Sequence, residues 1–300
     1  MANKSEMSEI GSYRCPSNRD HTHSSSEKSS TKKTNYISAD ILMVMRHSER
    51  LNDCCPGYIE KFERKKYEPY DLNMPSKLPI ERPIINYSHD TCLTRSGIVL
   101  SQMVGRSMNV VGQIPDIIYC SPSLRCIQTA TWVREMSGTK TLIRVEPGLF
   151  EDFIYPSGVP AFITSDQRSA TFPVDNSYKP IKPLDTIINH QETNDEYNDR
   201  VRTTLQEIVN TFEVVENGRE LRVLCVAHAS TVDMAVGLMR ERPRKTNANE
   251  LESIAITVPY CSVSYLKKKK SYWVPHPHII PTVTYENLNN RYNPYYVHRT

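Results

Sequence analysis

Short, uninterrupted apolar runs recur along this chain, and each ends abruptly in polar residues. Residues 41–45 are five apolar residues without helical gaps, which is typical of a strand buried on both faces of a parallel sheet. Similar runs predict strands at 116–120 and 222–227. Two further strands are predicted at 263–266 and 272–274. The chain therefore contains several short buried strands, separated by longer segments.

Some of these longer segments are amphipathic at helical spacing. The pattern after Thr94 predicts a helix that this threonine caps and that turns Ile98, Met103 and Val104 toward the sheet. A second helix is predicted from Asp195 to Val215, and its apolar stripe consists of Val201, Leu205, Ile208 and Phe212. Together with the strands, these helices predict a three-layer α/β/α domain with a mostly parallel central sheet.

Arginine and histidine side chains follow the first predicted strand at once. Arg46, His47 and Arg50 lie at its carboxyl end, which is the edge where open α/β sheets bind ligands. An imidazole between two guanidinium groups suits attack on an anionic electrophile such as phosphate, because each guanidinium can hold two oxygens. On this motif alone an alternative stays open, in which His47 ends a strand and the arginines are solvated surface charge.

Two other predicted strands end in similar chemistry. Ser121 and Pro122 are placed as the N-cap and first residue of a helix, so Arg125 falls in its first turn and points back over the strand end. Free N–H groups at that helix start also favour an anion. His228 follows the strand at 222–227 and precedes another Ser/Thr cap. Taken alone, Arg125 could equally be an ordinary exposed arginine.

Five separated motifs occur in the order that one protein family shows. They are Arg46-His-Ser-Glu-Arg50, Leu72-Asn-Met-Pro75, Tyr119-Cys-Ser-Pro-Ser-Leu-Arg125, Arg144-Val-Glu-Pro-Gly-Leu-Phe-Glu151 and Val226-Ala-His-Ala-Ser230. With these motifs, roughly residues 38–280 resemble the histidine phosphatase (phosphoglycerate mutase-like) superfamily. Within it, the chain is most similar to the phosphatase domain of the Sts (suppressor of T-cell receptor signalling) proteins and to ecdysteroid-phosphate phosphatase.

This resemblance implies a role for each strand-end residue. It makes His47 the nucleophile that becomes phosphohistidine, which requires one ring nitrogen free and the other held by an acceptor. The groups that it implies for binding the phosphoryl oxygens are Arg46, Arg50, Arg125 and His228. Such preorganised donors usually supply the largest share of catalysis in phosphoryl transfer. No cofactor and no metal ion is implied.

The resemblance also selects a general acid. Glu151 matches the family's Leu-Phe-Glu pattern, whereas Glu146 is a nearby competitor that this pattern does not select. A general acid needs a raised pKa, which a semi-enclosed site can supply. Two positions depart from the family: Ser48 replaces a glycine, and Asp152 replaces an aromatic residue. Asp152 would raise the pKa of Glu151 by like-charge repulsion or would repel an anionic substrate.

The function that the resemblance implies is a metal-independent phosphomonoesterase acting through phosphohistidine. Its substrate is either a phosphotyrosine protein or a small phosphoester, and the sequence does not choose between them. The alternative is a catalytically impaired phosphate-binding or scaffolding pseudophosphatase, in which Ser48 and Asp152 mark lost turnover. A mutase is a more distant third hypothesis. Relatives in the Sts group imply a homodimer as the assembly.

Composition and charge limit the classes of binding partner that the sequence predicts. The chain has 300 residues, 38% of them hydrophobic, and a net charge of only +3, so no general signal for nucleic-acid binding is present. Residues 267–270 are four lysines that we interpret as a solvated hairpin turn, not as a membrane or nucleic-acid patch. With 10 glycines and no P-loop pattern, a phosphate site must use side chains and helix ends.

The remaining features concern location and domain boundaries. Eight scattered cysteines, of which Cys120, Cys126 and Cys225 fall in apolar positions, are interpreted as buried free thiols, and a polar start without an apolar core predicts a cytoplasmic protein away from membranes. The predicted boundaries are a disordered N-terminal arm at 1–38, the phosphatase domain at 39–280 and a C-terminal tail at 281–300. Insertions at 52–92 and 152–192 are expected beside the site.

Overall fold

The computed structural model describes residues 35–151, 160–211, 213–215, 219–237, 247–285 and 288–289. All of them belong to one compact unit. Most of the arm predicted to be disordered lies outside the described residues, and so does Asp152. No helix in the described ranges is both long and apolar enough to cross a membrane.

A mixed sheet of six strands forms the centre of this unit. The strands are β2 (Ile41–Arg46), β3 (Ile117–Cys120), β4 (Ile143–Val145), β6 (Arg222–Ala227), β7 (Val263–Lys269) and β8 (Tyr272–Pro275). They lie side by side in the order β4-β3-β6-β2-β7-β8. β4, β3, β6 and β2 are parallel, and β7 and β8 are antiparallel to their neighbours. The predicted mostly parallel sheet is therefore confirmed.

Register within the sheet decides where the strand-end residues meet. β2 and β6 are adjacent and parallel, and Arg46 pairs with Ala227 at their carboxyl ends. The next residue of each strand is therefore a histidine, His47 on one side and His228 on the other. Both strands are apolar and almost wholly buried, because the sheet is covered on both faces.

Helices cover the two faces of the sheet. They are α1 (Leu51–Cys54), α2 (Tyr58–Phe62), α3 (Arg95–Val110), α4 (Leu124–Ser137), α5 (Ser165–Thr171), α6 (Leu184–Ile188), α7 (Asn194–Asn210), α8 (Ala229–Gly237) and α9 (Ala248–Thr257). Side chains of β2 alternate between two cores: Met43 joins the α3–α4 side, and Val44 joins the α7–α9 side. This arrangement confirms the three predicted layers.

Shorter elements complete the description. Two 3-10 helices span Ile84–Tyr87 and Pro147–Leu149. The other strands form two antiparallel pairs: β1 (Asn35–Ile37) with β5 (Glu213–Val215), and β9 (Thr284–Tyr285) with β10 (Leu288–Asn289). The second pair lies within the segment that the sequence predicts as a tail.

Helix α3 begins as predicted but buries a different face. The Thr94 side chain accepts a hydrogen bond from the N–H of Gly97 and caps the helix. Met103 is wrongly predicted to face the sheet, because its side chain is 47% exposed. Glycines form the closest contacts of this helix. A Cβ at Gly97 would collide with the backbone of Glu49, and one at Gly105 would collide with the backbone of Val133 on α4. A helix that packs this closely needs glycine at those two positions.

Two other predicted boundaries are corrected. The helix predicted to reach Val215 ends at Asn210, because residues 213–215 pair with the strand at 35–37. Phe212 lies outside the described residues. The lysine run at 267–270 is mostly strand, since β7 continues through Lys269 and the turn begins at Lys270. Cys120, Cys126 and Cys225 are buried free thiols, as predicted.

Candidate active site

His47 and His228 lie side by side at the carboxyl ends of β2 and β6. Their ring centroids are 5.5 Å apart, and both side chains are buried. Nδ1 of His47 lies 2.9 Å from the carbonyl oxygen of Ser48. Because a carbonyl only accepts hydrogen bonds, Nδ1 carries the proton and Nε2 retains its lone pair. The local backbone thus fixes the tautomer that a nucleophilic histidine requires.

The surroundings also keep His47 uncharged. Burial lowers the pKa of His47 well below its usual range, and the positive charges of Arg125 and Arg46 lower it further. A neutral imidazole is the nucleophilic form, since a protonated ring has no lone pair to offer. The same positive charges favour an anionic ligand at this place.

Arg125 reaches the histidines from the first turn of α4. The helix starts two residues later than predicted: its N-cap is Ser123, and Ser121 and Pro122 lie before it. Ser121 has a different partner, because its Oγ lies 2.9 Å from Nε2 of His228. Arg125 nonetheless remains in the first turn, fully buried.

The insertion at 52–92 fixes the start of that helix. The buried carboxylate of Asp90 accepts a hydrogen bond of 2.7 Å from the N–H of Leu124, the residue before Arg125. Arg82 forms an ion pair of 3.2 Å with Asp90 and donates to the carbonyl of Ala161 in the second insertion. Both predicted insertions therefore contact each other beside the helix that carries Arg125.

Glu151 closes the cluster. Its Oε1 accepts a short hydrogen bond from Arg125, and its Oε2 lies 3.2 Å from Nδ1 of His228. Burial alone raises the pKa of Glu151, but His228 and Arg125 together lower it well below its usual range. The expected rise of this pKa is therefore wrong, because Arg125 and His228, which were predicted to bind phosphate, contact this carboxylate directly.

Arg46 and Arg50 border this cluster and are held from outside it. Arg46 stacks on the ring of Tyr260 at 4.3 Å and donates to the backbone carbonyls of Ala255, at 3.0 Å, and Val258. Arg50 is about one third exposed, and its Nε donates to Asp53 at 2.9 Å. The structure thus brings His47, Arg125, Glu151 and His228 into one contact group, with the other two arginines at its rim.

At the sequence level three residues of this region were missed, and a fourth, Ser121, was assigned a different role. Ser121 contacts His228, and Thr129 accepts a hydrogen bond of 3.0 Å from the N–H of Ser48. Asp53 and Tyr260 contact the rim arginines. Of these residues only Asp53 could have been predicted from local sequence, because an acid three residues after Arg50 is placed to pair with it on a helix. The others depend on contacts between distant parts of the chain.

Ser48 fits the backbone without strain. Among the described non-glycine residues, positive φ angles occur at Cys261 and Lys270, so Ser48 has a conformation open to any L-residue. Its side chain is fully buried beside the thiol of Cys261. The family's glycine is therefore not required here by backbone geometry.

The competing glutamate, Glu146, lies outside the cluster. Its Oε1 accepts hydrogen bonds from the N–H groups of Gly148 and Lys182, at 2.8 and 3.0 Å. Its Oε2 accepts from the hydroxyl of Tyr178 and the N–H of Ile181, at 2.6 and 2.7 Å. Four donors thus saturate this buried carboxylate, which has no free oxygen to offer a substrate.

The cluster suits an anion better than a cation. Ligand atoms of His47, Glu151 and His228 lie within 4.8 Å of one another, a spacing that could hold a metal ion. However, the guanidinium of Arg125 already pairs with Glu151, and Arg46 adds a second positive charge nearby. A cation would have to displace or face these charges, whereas a phosphoryl group is attracted by them.

Comparisons with known proteins agree with this geometry. The family model described as "Histidine phosphatase superfamily (branch 1)" matches residues 81–276, which include Arg125, Glu151 and His228. Ecdysteroid-phosphate phosphatase of Drosophila melanogaster is 31% identical over 263 residues, which are 84% of this chain and 34% of that protein. Ubiquitin-associated and SH3 domain-containing protein B of Homo sapiens is 31% identical over 252 residues, 80% of this chain and 38% of that protein.

A solved structure extends the likeness to three dimensions. The ecdysone phosphate phosphatase of Bombyx mori, in complex with tungstate, has a TM-score of 0.69 and 29% identity, and the alignment covers 84% of this chain and 97% of that one. This chain spans little more than a third of the length of the curated relatives it matches. On the family match and these identities, the chain belongs to the histidine phosphatase superfamily.

Proposed function

We propose that this protein is a phosphomonoesterase that uses His47 as its nucleophile and needs no metal ion. The observation that carries the proposal is the hydrogen bond from Nδ1 of His47 to the carbonyl of Ser48, which leaves Nε2 unprotonated beside Arg125. Family membership supports phosphatase chemistry, since the matched relatives include ecdysteroid-phosphate phosphatases. The phosphohistidine intermediate is what the family resemblance implies, and the lone pair on Nε2 of His47 supports it.

Substrate binding would begin with an exchange of partners at Arg125. In the structure this arginine contacts Glu151. A phosphoryl group carries more negative charge than the carboxylate and offers three oxygens to Arg125 and His228. Its charge beside Glu151 would also raise the pKa of that carboxyl. Binding of substrate would therefore favour the protonated form of Glu151, which the reaction needs as its acid.

The reaction then has two steps. Nε2 of His47 attacks phosphorus, the bond from phosphorus to the leaving oxygen breaks, and Glu151 gives its proton to that oxygen. In the second step a water molecule attacks the phosphohistidine while Glu151 accepts a proton from it. The phosphorus–nitrogen bond breaks, and inorganic phosphate leaves. Arg46, Arg50, Arg125 and His228 would bind the phosphoryl oxygens in both steps.

The substrate class is a phosphate monoester, either a phosphotyrosine protein or a small phosphoester. The names of the matched relatives include phosphatases of ecdysteroid phosphates, which favours the small phosphoester. Resemblance to the Sts phosphatase domain supports the phosphotyrosine protein. Turnover of a steroid phosphate and of a phosphotyrosine peptide, measured side by side, would distinguish the two.

The experiment that tests the activity is hydrolysis of p-nitrophenyl phosphate in EDTA by the native protein and by His47→Ala. We expect turnover that EDTA leaves intact and that the substitution abolishes, because no other group replaces Nε2. Loss of turnover in EDTA with restoration by a divalent metal would contradict the proposal. A folded native protein that binds phosphate without turnover would instead support the impaired, phosphate-binding alternative.

A further inference from the structure

Tyr260 joins the two rim arginines of the candidate site. Its ring lies 4.3 Å from the guanidinium of Arg46 and 5.7 Å, between centroids, from the ring of His47. Its hydroxyl donates a short hydrogen bond to Oδ2 of Asp53. That same oxygen accepts from Nε of Arg50 at 2.9 Å. One tyrosine and one carboxylate thus connect both arginines of the first motif.

Each connection suits the partner chemically. A cation over an aromatic face is attracted by the ring quadrupole, and Arg46 is also fixed by carbonyls near the end of α9. Burial raises the pKa of Tyr260 to about 12, and Asp53 raises it as well, so the hydroxyl stays a donor. Burial alone raises the pKa of Asp53, but Arg50 and Tyr260 lower it below its usual value, so Asp53 stays an acceptor.

The contact with Asp53 leaves much of Arg50 free. Only Nε of Arg50 is bonded to Asp53, and its side chain is about one third exposed. A guanidinium held at Nε keeps both terminal nitrogens for two oxygens of a phosphoryl group. An arginine without this contact would sample many rotamers, and binding would have to restrict them.

We propose that Tyr260 and Asp53 are positioning residues for phosphate binding. They hold the two arginines of the first motif in the orientation from which these contact the phosphoryl group, a role that rests on the proposed phosphatase function. Neither residue belongs to the first motif's pattern of arginine, histidine and arginine, and Tyr260 lies 207 residues from Asp53 along the chain.

The test measures anion affinity in Asp53→Asn and Tyr260→Phe. The inhibition constants of inorganic phosphate and orthovanadate are determined alongside kcat and KM for p-nitrophenyl phosphate. We expect both inhibition constants to rise about tenfold in Asp53→Asn and about threefold in Tyr260→Phe, because a charge-assisted hydrogen bond is lost. Asp53→Glu retains a carboxylate and should restore part of the affinity.

Matched controls come from elsewhere in the chain. Asp199 forms an i,i+3 ion pair of 2.6 Å with Arg202 on α7, so Asp199→Asn breaks a similar pair outside the candidate site. Tyr272 is half-exposed on β8, and Tyr272→Phe removes one tyrosine hydroxyl. Both controls should leave the inhibition constants unchanged, and thermal unfolding of each variant should show a folded protein.

The double variant Asp53→Asn, Tyr260→Phe tests whether the two residues position the arginines together or affect phosphate binding independently. If Tyr260 acts through Asp53, then Tyr260→Phe adds little to the loss already caused by Asp53→Asn. Unchanged or tighter phosphate binding in Asp53→Asn would overturn the proposal, since it would mean that Asp53 only competes with phosphate for Arg50. Turnover by the native protein tests the proposed function separately, and phosphate affinity can be measured by calorimetry whether or not turnover occurs.

Discussion

Glu146 is buried and Glu151, five residues further along, is partly buried, and the two carboxylates meet different environments. Glu146 accepts hydrogen bonds from three backbone N–H groups and one tyrosine hydroxyl, and none of these donors titrates near neutral pH. Glu151 contacts the guanidinium of Arg125, in the first turn of α4, and the imidazole of His228, at the end of β6. The partners of Glu146 join two chain segments, residues 146–148 and 178–182, whereas those of Glu151 are groups that a bound anion could contact in its place.

The difference follows from where each residue lies. Glu146 caps the 3-10 helix at 147–149 and holds the segment around Tyr178 and Ile181 against it. Glu151 follows that helix and points to the sheet edge where Arg125 and His228 converge. Negative charge in a largely buried place therefore does not by itself single out the proposed general acid. What distinguishes Glu151 from Glu146 is the identity of its hydrogen-bond donors.

The largest effect expected is on turnover in Glu151→Gln. Removing the proton donor should lower kcat/KM, which reports only the steps up to phosphorylation of His47, about 10²- to 10⁴-fold for alkyl phosphates, whose leaving oxygen needs a proton. The loss should be far smaller for p-nitrophenyl phosphate, because its leaving group departs as a stabilised anion. Steady-state kinetics on both substrates would measure this split. An equal loss of kcat/KM on both would assign Glu151 to binding and not to protonation of the leaving oxygen.

Glu146→Gln should show the opposite behaviour. An amide in place of the carboxylate sets an NH₂ group against backbone N–H donors, which should cost about 3 kcal/mol of unfolding free energy. The turnover of the folded fraction should stay within about twofold of the native value. Chemical denaturation and active-site titration would separate the two quantities. A stable variant with low turnover would show that Glu146, and not Glu151, serves the chemistry.

Acid should distinguish the two regions through His228. Burial lowers the pKa of His228 to about 4, despite the opposing effect of Glu151, whereas an unfolded histidine has a pKa near 6.5. Below pH 6.5 the unfolded chain binds a proton that the folded protein does not. The unfolding free energy therefore decreases as the pH is lowered. Lowering the pH from 6.5 to 5 should reduce the unfolding free energy by about 2 kcal/mol through His228.

His228→Gln should therefore flatten the pH dependence of stability by about that amount. Denaturation midpoints at several pH values between 5 and 7.5 would measure the change. Glu146→Gln serves as the control and should shift the whole curve downward while retaining the native slope. A native slope in His228→Gln would mean that His228 is charged in the folded protein.

The smallest effect is expected for Tyr178→Phe. This change removes one of the four donors to Glu146, a hydroxyl at 2.6 Å, and leaves the three N–H groups in place. Unfolding free energy should fall by about 1 kcal/mol, with kcat and KM unchanged. A change in kcat or KM with no change in unfolding free energy would contradict the assignment of Glu146 to stability and Glu151 to chemistry.

The sequence predicted those parts of the site that strand ends dictate. Apolar runs locate β2 and β6, and the residue after each is then a strand-end histidine. The Thr94 cap follows equally from local pattern. The choice of Glu151 over Glu146 came only from the family's motif, because both glutamates have similar neighbours in sequence. What separates them is the distant donors of each carboxylate, such as Tyr178 and His228.

The parts that could not be predicted depend on long-range contacts. Ser121 is a good N-cap by local rules, but its hydroxyl bonds to His228, so Ser123 begins the helix. Met103 fits an apolar face by spacing, yet close packing at Gly97 and Gly105 rotates it outward. Tyr260 reaches the site through contacts with no counterpart in local sequence.

The most direct test of the central claim is to trap the phosphoenzyme. The native protein would be quenched in alkali during turnover of p-nitrophenyl phosphate, and the phosphorylated peptide identified by mass spectrometry. Our account predicts one acid-labile phosphate, located on His47 and absent in His47→Ala. Phosphate on another residue, or turnover with no phosphorylated histidine at any quench time, would contradict it.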